Sequence, residues 1–242
     1  MFIGVQKIAF SNYPSKNNNH GRTKKNSAIF IIDEMLSGFR SDFPGSYSKL
    51  GLNPDLTIWG KAIGNGFSVC ALAGKRKIME LGGIKQSSKP RVFLLSTTHG
   101  GETTGLSAGK AVIEIYKKNN VIKHNKKIIK KIYSSINEIL NKLYLFDYIK
   151  IYYSDWRIYI EFLDNKKKIS NVFKTLFMQE MIGNGVFFQG LFLPCYSHTF
   201  SDIKKISLAF DHSCQVYKLA LEKGVNKYLY GRSIKNVFRK YT

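Results

Sequence analysis

The sequence predicts an α/β protein that continues into a smaller α+β part. Three observations lead there. Short apolar runs end in carboxylates or enter glycine-rich turns, at 28–34 and 56–66. Long stretches with apolar residues every three or four positions follow, at 121–143 and 202–223. That spacing is one face of a helix. Between them lie two strand-like runs, 149–153 and 156–162, joined by a turn at Ser154-Asp155. The style of the chain changes near residue 119.

Residues 1–26 are poorly patterned, and the polar, turn-rich stretch 11–26 reads as loop. The run AIFII at 28–32 ends at Asp33-Glu34 and reads as a buried parallel strand with functional groups at its C-terminal end. In open α/β sheets, ligands bind off those ends. Residues 38–55 are loop-like. A second strand, Leu56–Trp59, leads to Gly60-Lys61 and the turn Gly64-Asn65-Gly66. Another apolar segment follows at 69–73, then a helical turn at 75–80. A third strand, Val92–Leu95, opens into 96–101, and a helix runs from Leu106 to Lys118.

The second part starts with a helix over 121–143, whose stripe is Ile128, Ile132, Ile136 and Ile139. After the two strands comes a helix over 170–181, then an extended segment, 186–193, around Gly190. The last helix spans 202–223, with Thr199 and Asp202 as a capping box and Gly224 as its stop. Its apolar face is Ile203, Ile206, Phe210, Tyr217 and Leu221. The parts expected are an irregular segment 1–26, an α/β part 27–118 and a small C-terminal domain 119–242.

Composition sets the limits. With 242 residues, 44% of them hydrophobic, a packed core is expected in one large domain or two small ones. Three cysteines, at 70, 195 and 214, are too few for a disulfide framework or a four-cysteine zinc site. No apolar run approaches membrane-spanning length. The start MFIGVQKIAF is a poor secretory signal, so a cytoplasmic setting is expected. The net charge of +22 comes mostly from Lys, mixed with Ile, Asn, Tyr and Phe throughout. Base readout favours Arg, of which there are few. The charge therefore reads as solvated surface, and a basic nucleic-acid-binding module is the weakest of the functions considered.

Three features fall in order: Asp33 ending a strand, Lys61 after the next, and Thr97/Thr98 ending a third before Gly100-Gly101. Pyridoxal phosphate chemistry needs such a set. A lysine amine forms a Schiff base with the cofactor aldehyde. A carboxylate pairs with the protonated ring nitrogen and keeps the ring an electron sink. Hydroxyl and backbone N–H donors hold the phosphate.

The stretches IIDEMLSGFR (31–40) and PDLTIWGKAIGNG (54–66) resemble the class III aminotransferases, particularly glutamate-1-semialdehyde 2,1-aminomutase and its aminotransferase relatives. ALAGKRKIM (71–79) and the stretch from Gly185 to Ile203 fit the same family. The resemblance implies a fold type I, aspartate-aminotransferase-like large domain and a cytoplasmic homodimer that uses pyridoxal 5'-phosphate on small amino donors and acceptors. It implies that Asp33 pairs with the ring nitrogen and that Lys61 is the Schiff-base lysine and proton carrier. Met35 stands where a branched apolar residue packs on the ring face, and Thr98 binds phosphate across the dimer interface.

Two departures matter. The segment TTHGGET (97–103) differs from the aminomutase pattern and leans toward an aminotransferase relative. His99 within it is expected to be structural or solvated. Family chains are also much longer, and Asp33 lies close to Met1. The chain thus resembles the C-terminal part of such an enzyme. The expectations are a subunit completed by a separate chain supplying the N-terminal half, or a catalytically incompetent fragment.

Overall fold

The computed structural model describes residues 3–4 (backbone only), 28–83 and 100–235. The chain forms two compact units, Met1–Ile122 and Lys123–Thr242. The expected strand 92–95 and the segment 97–99 lie outside the described residues.

The first unit holds a four-stranded sheet in the order β1 (Ile3–Gly4), β2 (Phe30–Asp33), β3 (Leu56–Trp59), β4 (Ala71–Gly74). The first three strands are parallel, and β4 runs antiparallel to β3. Phe30, Ile32, Leu56 and Thr57 are buried, which explains why these short runs read as apolar. Ile31, Ile32 and Asp33 pair with Leu56, Thr57 and Ile58, so β2 and β3 end side by side. Helix α1 (Thr103–Lys118) begins three residues earlier than its apolar pattern suggests. Thr103, Thr104 and Gly105 are weak helix formers, but a Cβ at Gly105 would sit 2.9 Å from the Ser68 carbonyl oxygen. The small residues at this end permit close packing on the loop after β3. Phe39, Ile63 and Val112 form the buried cluster here.

The region 38–55, expected as loop, includes a helical turn at Ser46–Lys49. It is tied to β3 by Trp59, whose indole N–H donates to the Pro44 carbonyl at 2.9 Å. A Cβ on Gly38 would lie 2.6 Å from the Trp59 ring, so the indole requires a glycine there.

The second unit is helices on a three-stranded antiparallel sheet, β5 (Ile149–Ser154), β6 (Arg157–Phe162) and β7 (Leu191–Phe192). Helix α2 (Val121–Leu143) buries Ile128, Ile129, Ile132, Ile136 and Leu140. Leu140 takes the place expected for Ile139, which is only half-buried: the stripe advances by fours. The hairpin turn falls at Asp155-Trp156, one residue later than expected, with Ser154 paired to Arg157. The Arg157 guanidinium stacks on Trp156, 4.6 Å from the ring centroid. Helix α3 (Asn171–Gly183) is capped by Ser170, and helix α4 (Phe200–Lys223) by the Thr199–Asp202 box. Gly224 ends α4 at φ +90°. The expected extended segment 186–193 shortens to β7, because Gly190 turns the chain at φ +90°. The core joins all four apolar faces, with Phe162, Phe177, Phe188, Phe210 and Tyr217 at its centre. The Tyr217 hydroxyl donates to the Leu163 carbonyl oxygen.

Candidate active site

The C-terminal ends of β2 and β3 carry the candidate residues. Asp33 is the last residue of β2, and its side chain is exposed. Its Oδ1 accepts the Met35 backbone N–H at 2.8 Å, which fixes the carboxylate over the start of the next turn. Lys61 follows β3 by one residue and opens a 3₁₀ turn, Lys61–Ile63. Its backbone sits at φ +48°, a region few non-glycine residues adopt. Gly64 and Asn65 both donate N–H to the Lys61 carbonyl, each at 3.0 Å, and hold that conformation. The Lys61 side chain is exposed.

Met35 links the two strand ends. A Cβ on Gly60 would lie 2.5 Å from its Cε and 2.6 Å from its Sδ. The thioether is therefore seated on the backbone just before Lys61, while the Met35 N–H holds Asp33. Adjacent strands lie about 4.8 Å apart, and Asp33 stands opposite Ile58, three residues before Lys61. Asp33, Met35 and Lys61 thus gather at one sheet end. Thr98 and His99 lie outside the described residues.

The pattern marks Glu34 only as a carboxylate ending the strand, and its buried role comes from the fold. Glu34 is fully buried, and hydroxyl and backbone donors face its carboxylate. Its Oε1 accepts from the Ser46 hydroxyl at 2.6 Å and the Tyr47 N–H at 3.0 Å, and its Oε2 from the Ser37 hydroxyl at 2.5 Å. A Cβ at Gly45 would sit 2.8 Å from the carboxylate, so glycine admits the loop. Glu34 pins residues 37–47 under the site. Burial, then the Glu34 charge, raises the Tyr47 phenol above its usual range. Arg40, also in the motif, donates to the Leu36 carbonyl at 3.0 Å, and burial lowers its guanidinium below its usual value. The signal for Glu34 was the Ser37 hydroxyl three residues on, but the second hydroxyl comes from a distant turn.

A primary amine and a carboxylate thus stand at neighbouring parallel strand ends of an α/β protein, where ligands bind in open sheets of this kind. The chain belongs to the class-III aminotransferase family, which matches residues 19–189. The family's cofactor is pyridoxal 5'-phosphate. The chain is 40% identical to glutamate-1-semialdehyde 2,1-aminomutase from Heliobacterium modesticaldum over 96 residues, 40% of this chain and 21% of that one. It is 27% identical to 3-aminobutyryl-CoA aminotransferase from Cloacimonas acidaminovorans, over 72% of this chain and 41% of the relative. The fold matches an omega-transaminase from Sphaerobacter thermophilus with TM-score 0.69 at 20% identity, covering 81% of this chain and 46% of that one. A transaminase with PLP bound matches with TM-score 0.68 at 20% identity, over 84% of this chain and 46% of that chain. With the family match, these likenesses give the chain the fold of the fold type I pyridoxal-phosphate transferases. The chain spans less than half the length of these relatives. Among the described residues, no helix is long and apolar enough to cross a membrane, and no acidic, histidine or cysteine cluster could hold a metal ion.

Proposed function

We propose that this chain carries the lysine and the ring-nitrogen carboxylate of an enzyme that moves amino groups between small amino donors and carbonyl acceptors. The observation that supports this most is the pairing of Asp33 and Lys61 at the ends of adjacent parallel strands, linked through Met35.

The donor set fits pyridoxal 5'-phosphate. Lys61 offers a primary amine to an aldehyde carbon, Asp33 an anion to a protonated ring nitrogen, and Met35 an apolar contact for a ring face. When bound, the cofactor supplies an electron sink for charge developing at a substrate α-carbon. Lys61 would hold the cofactor through its amine, and once free that amine would carry a proton to and from the substrate α-carbon. Asp33 keeps the proton on the ring nitrogen. Its anchored Oδ1 limits how far the carboxylate swings. Glu34 supports this by fixing the loop behind it, and the turn at Lys61 aims the amine. Thr98 is proposed as a phosphate contact, provided to a second copy across a homodimer. A further polypeptide is proposed to supply the remaining phosphate loop and a ring-stacking aromatic.

Titration of the purified chain with pyridoxal 5'-phosphate tests the reading. The expected result is a new visible absorbance near ~420 nm, as this cofactor chemistry produces, and its complete loss in Lys61→Ala. An unchanged band in that variant would remove Lys61 from the role. No band with the native chain, alone or with a complementary N-terminal polypeptide, would leave a non-catalytic remnant as the better reading.

A further inference from the structure

The second unit contains a nucleophile and a base that the amino-group chemistry does not use. Cys195 and His198 bracket a tight turn closed by the His198 N–H donating to the Cys195 carbonyl at 3.1 Å. The turn runs directly into the N-terminus of α4, whose cap is Thr199. Cys195 is exposed, and its Sγ lies 3.0 Å from His198 Nδ1. The same Nδ1 receives the Cys195 backbone N–H at 3.0 Å. A backbone N–H can only donate, so Nδ1 is the bare nitrogen of the ring. The thiol is then the donor in its contact with Nδ1, and the imidazole stands ready to take its proton.

The histidine is held in place. Its carbonyl accepts from His124 Nε2 at 2.9 Å, and the His124 ring packs edge-on against Tyr196 at 5.1 Å between centroids. The other two cysteines lack this setting. Cys214 is buried, and burial pushes its thiol well above the usual range. Cys70 is exposed, but among the described residues no base contacts its thiol.

We propose that Cys195 and His198 form a nucleophile–base pair that exchanges with small disulfides, making Cys195 a site of reversible mixed-disulfide modification. His198 Nδ1 takes the thiol proton, and Sγ attacks one sulfur of the disulfide. The new Sγ–S bond forms as the old S–S bond breaks. The departing thiolate takes the proton from the imidazolium and leaves as a thiol. The cysteine is oxidised to the mixed disulfide, and one half of the reagent is reduced.

The three cysteines make the chain its own control. The reduced chain is incubated with glutathione disulfide at neutral pH, and adducts are mapped by peptide mass over time. Cys195 is expected to react about tenfold faster than Cys70, and Cys214 not at all while the fold persists. His198→Asn keeps an oxygen acceptor for the Cys195 N–H but cannot carry the proton. It is expected to bring Cys195 to within about twofold of Cys70. Equal rates at Cys195 and Cys70 in the native chain overturn the proposal, as does an undiminished Cys195 rate in His198→Asn. If Cys214 labelling reveals that the variant has unfolded, the native ratio of Cys195 to Cys70 decides.

Discussion

In residues 123–235, three long helices and a sheet close on one apolar cluster, and the Phe162, Phe177, Phe188 and Phe210 side chains are almost wholly enclosed. In the described part of the first unit, the cluster around Phe39, Ile63 and Val112 is small. The loop under its strand ends is held instead by a buried carboxylate with three donors. The strained backbone is distributed in the same way. Phe39, Lys61 and Asn65 take positive φ around the candidate site, whereas Tyr144 and Lys167 do so in turns of the second unit. Apolar burial holds one unit together through packing. The other spends local strain and oriented hydrogen bonds on placing a few groups, as functional sites do.

The largest effect that sharpens this contrast is Phe177→Ala. Phe177 is fully buried, with ring centroids 4.7 Å from Phe162, 5.0 Å from Phe210 and 5.8 Å from Phe188. Truncation is expected to cost about 3–5 kcal/mol, from lost transfer energy and an unfilled cavity. Urea unfolding followed by far-UV circular dichroism measures it, and amide exchange in α3 and α4 should accelerate. A loss below about 1 kcal/mol, typical of a site that collapses easily, would break the claim that apolar packing is the main support of this unit.

That unit was also the more legible one. Helices α2 and α4 announce themselves because Ile128, Ile132 and Ile136, or Ile203, Ile206 and Phe210, repeat at the helical period. The ends of β2 and β3 were legible for a local reason: an apolar run stopping at a carboxylate or glycine is readable within five residues. Their pairing was not, since register is a property of two segments. The buried role of Glu34 was not legible, because it depends on Ser46 and Tyr47 returning from twelve and thirteen residues away. The Cys195–His198 pair escaped because spacing says nothing of ring orientation, and only the Cys195 N–H bond reveals which nitrogen is bare.

A middle-sized effect probes the first unit. Glu34→Ala removes the acceptor for the Tyr47 N–H and for two hydroxyls. Each buried donor left without a partner costs about 1–3 kcal/mol, although Ser37 and Ser46 can rotate toward other acceptors. A net loss of about 1–3 kcal/mol is expected, with amide exchange rising across 37–47 while α3 and α4 stay protected. Equal acceleration in both units would mean that Glu34 supports the whole chain rather than the loop beneath the candidate site, and the contrast would fail.

The smallest effect lies at the start of α4, where the second unit relies on polar geometry as the first does. The Thr199 hydroxyl donates to Asp202 Oδ2 at 2.7 Å, and the Thr199 N–H donates to the same oxygen at 2.8 Å. These bonds hold the Asp202 carboxyl below the usual carboxylate range, with His198 and Lys205 adding to the shift. A carboxylate depressed in the folded state contributes stability above its unfolded pKa of about 3.9 and loses it as pH falls through the folded value. Thr199→Ala removes the larger cause, and a lost cap costs about 1 kcal/mol at neutral pH. The gap between native and variant stability should therefore narrow as pH drops below about 4. A gap that stays constant from neutral to acid would show that Thr199 acts through packing at the helix start and not through the Asp202 charge.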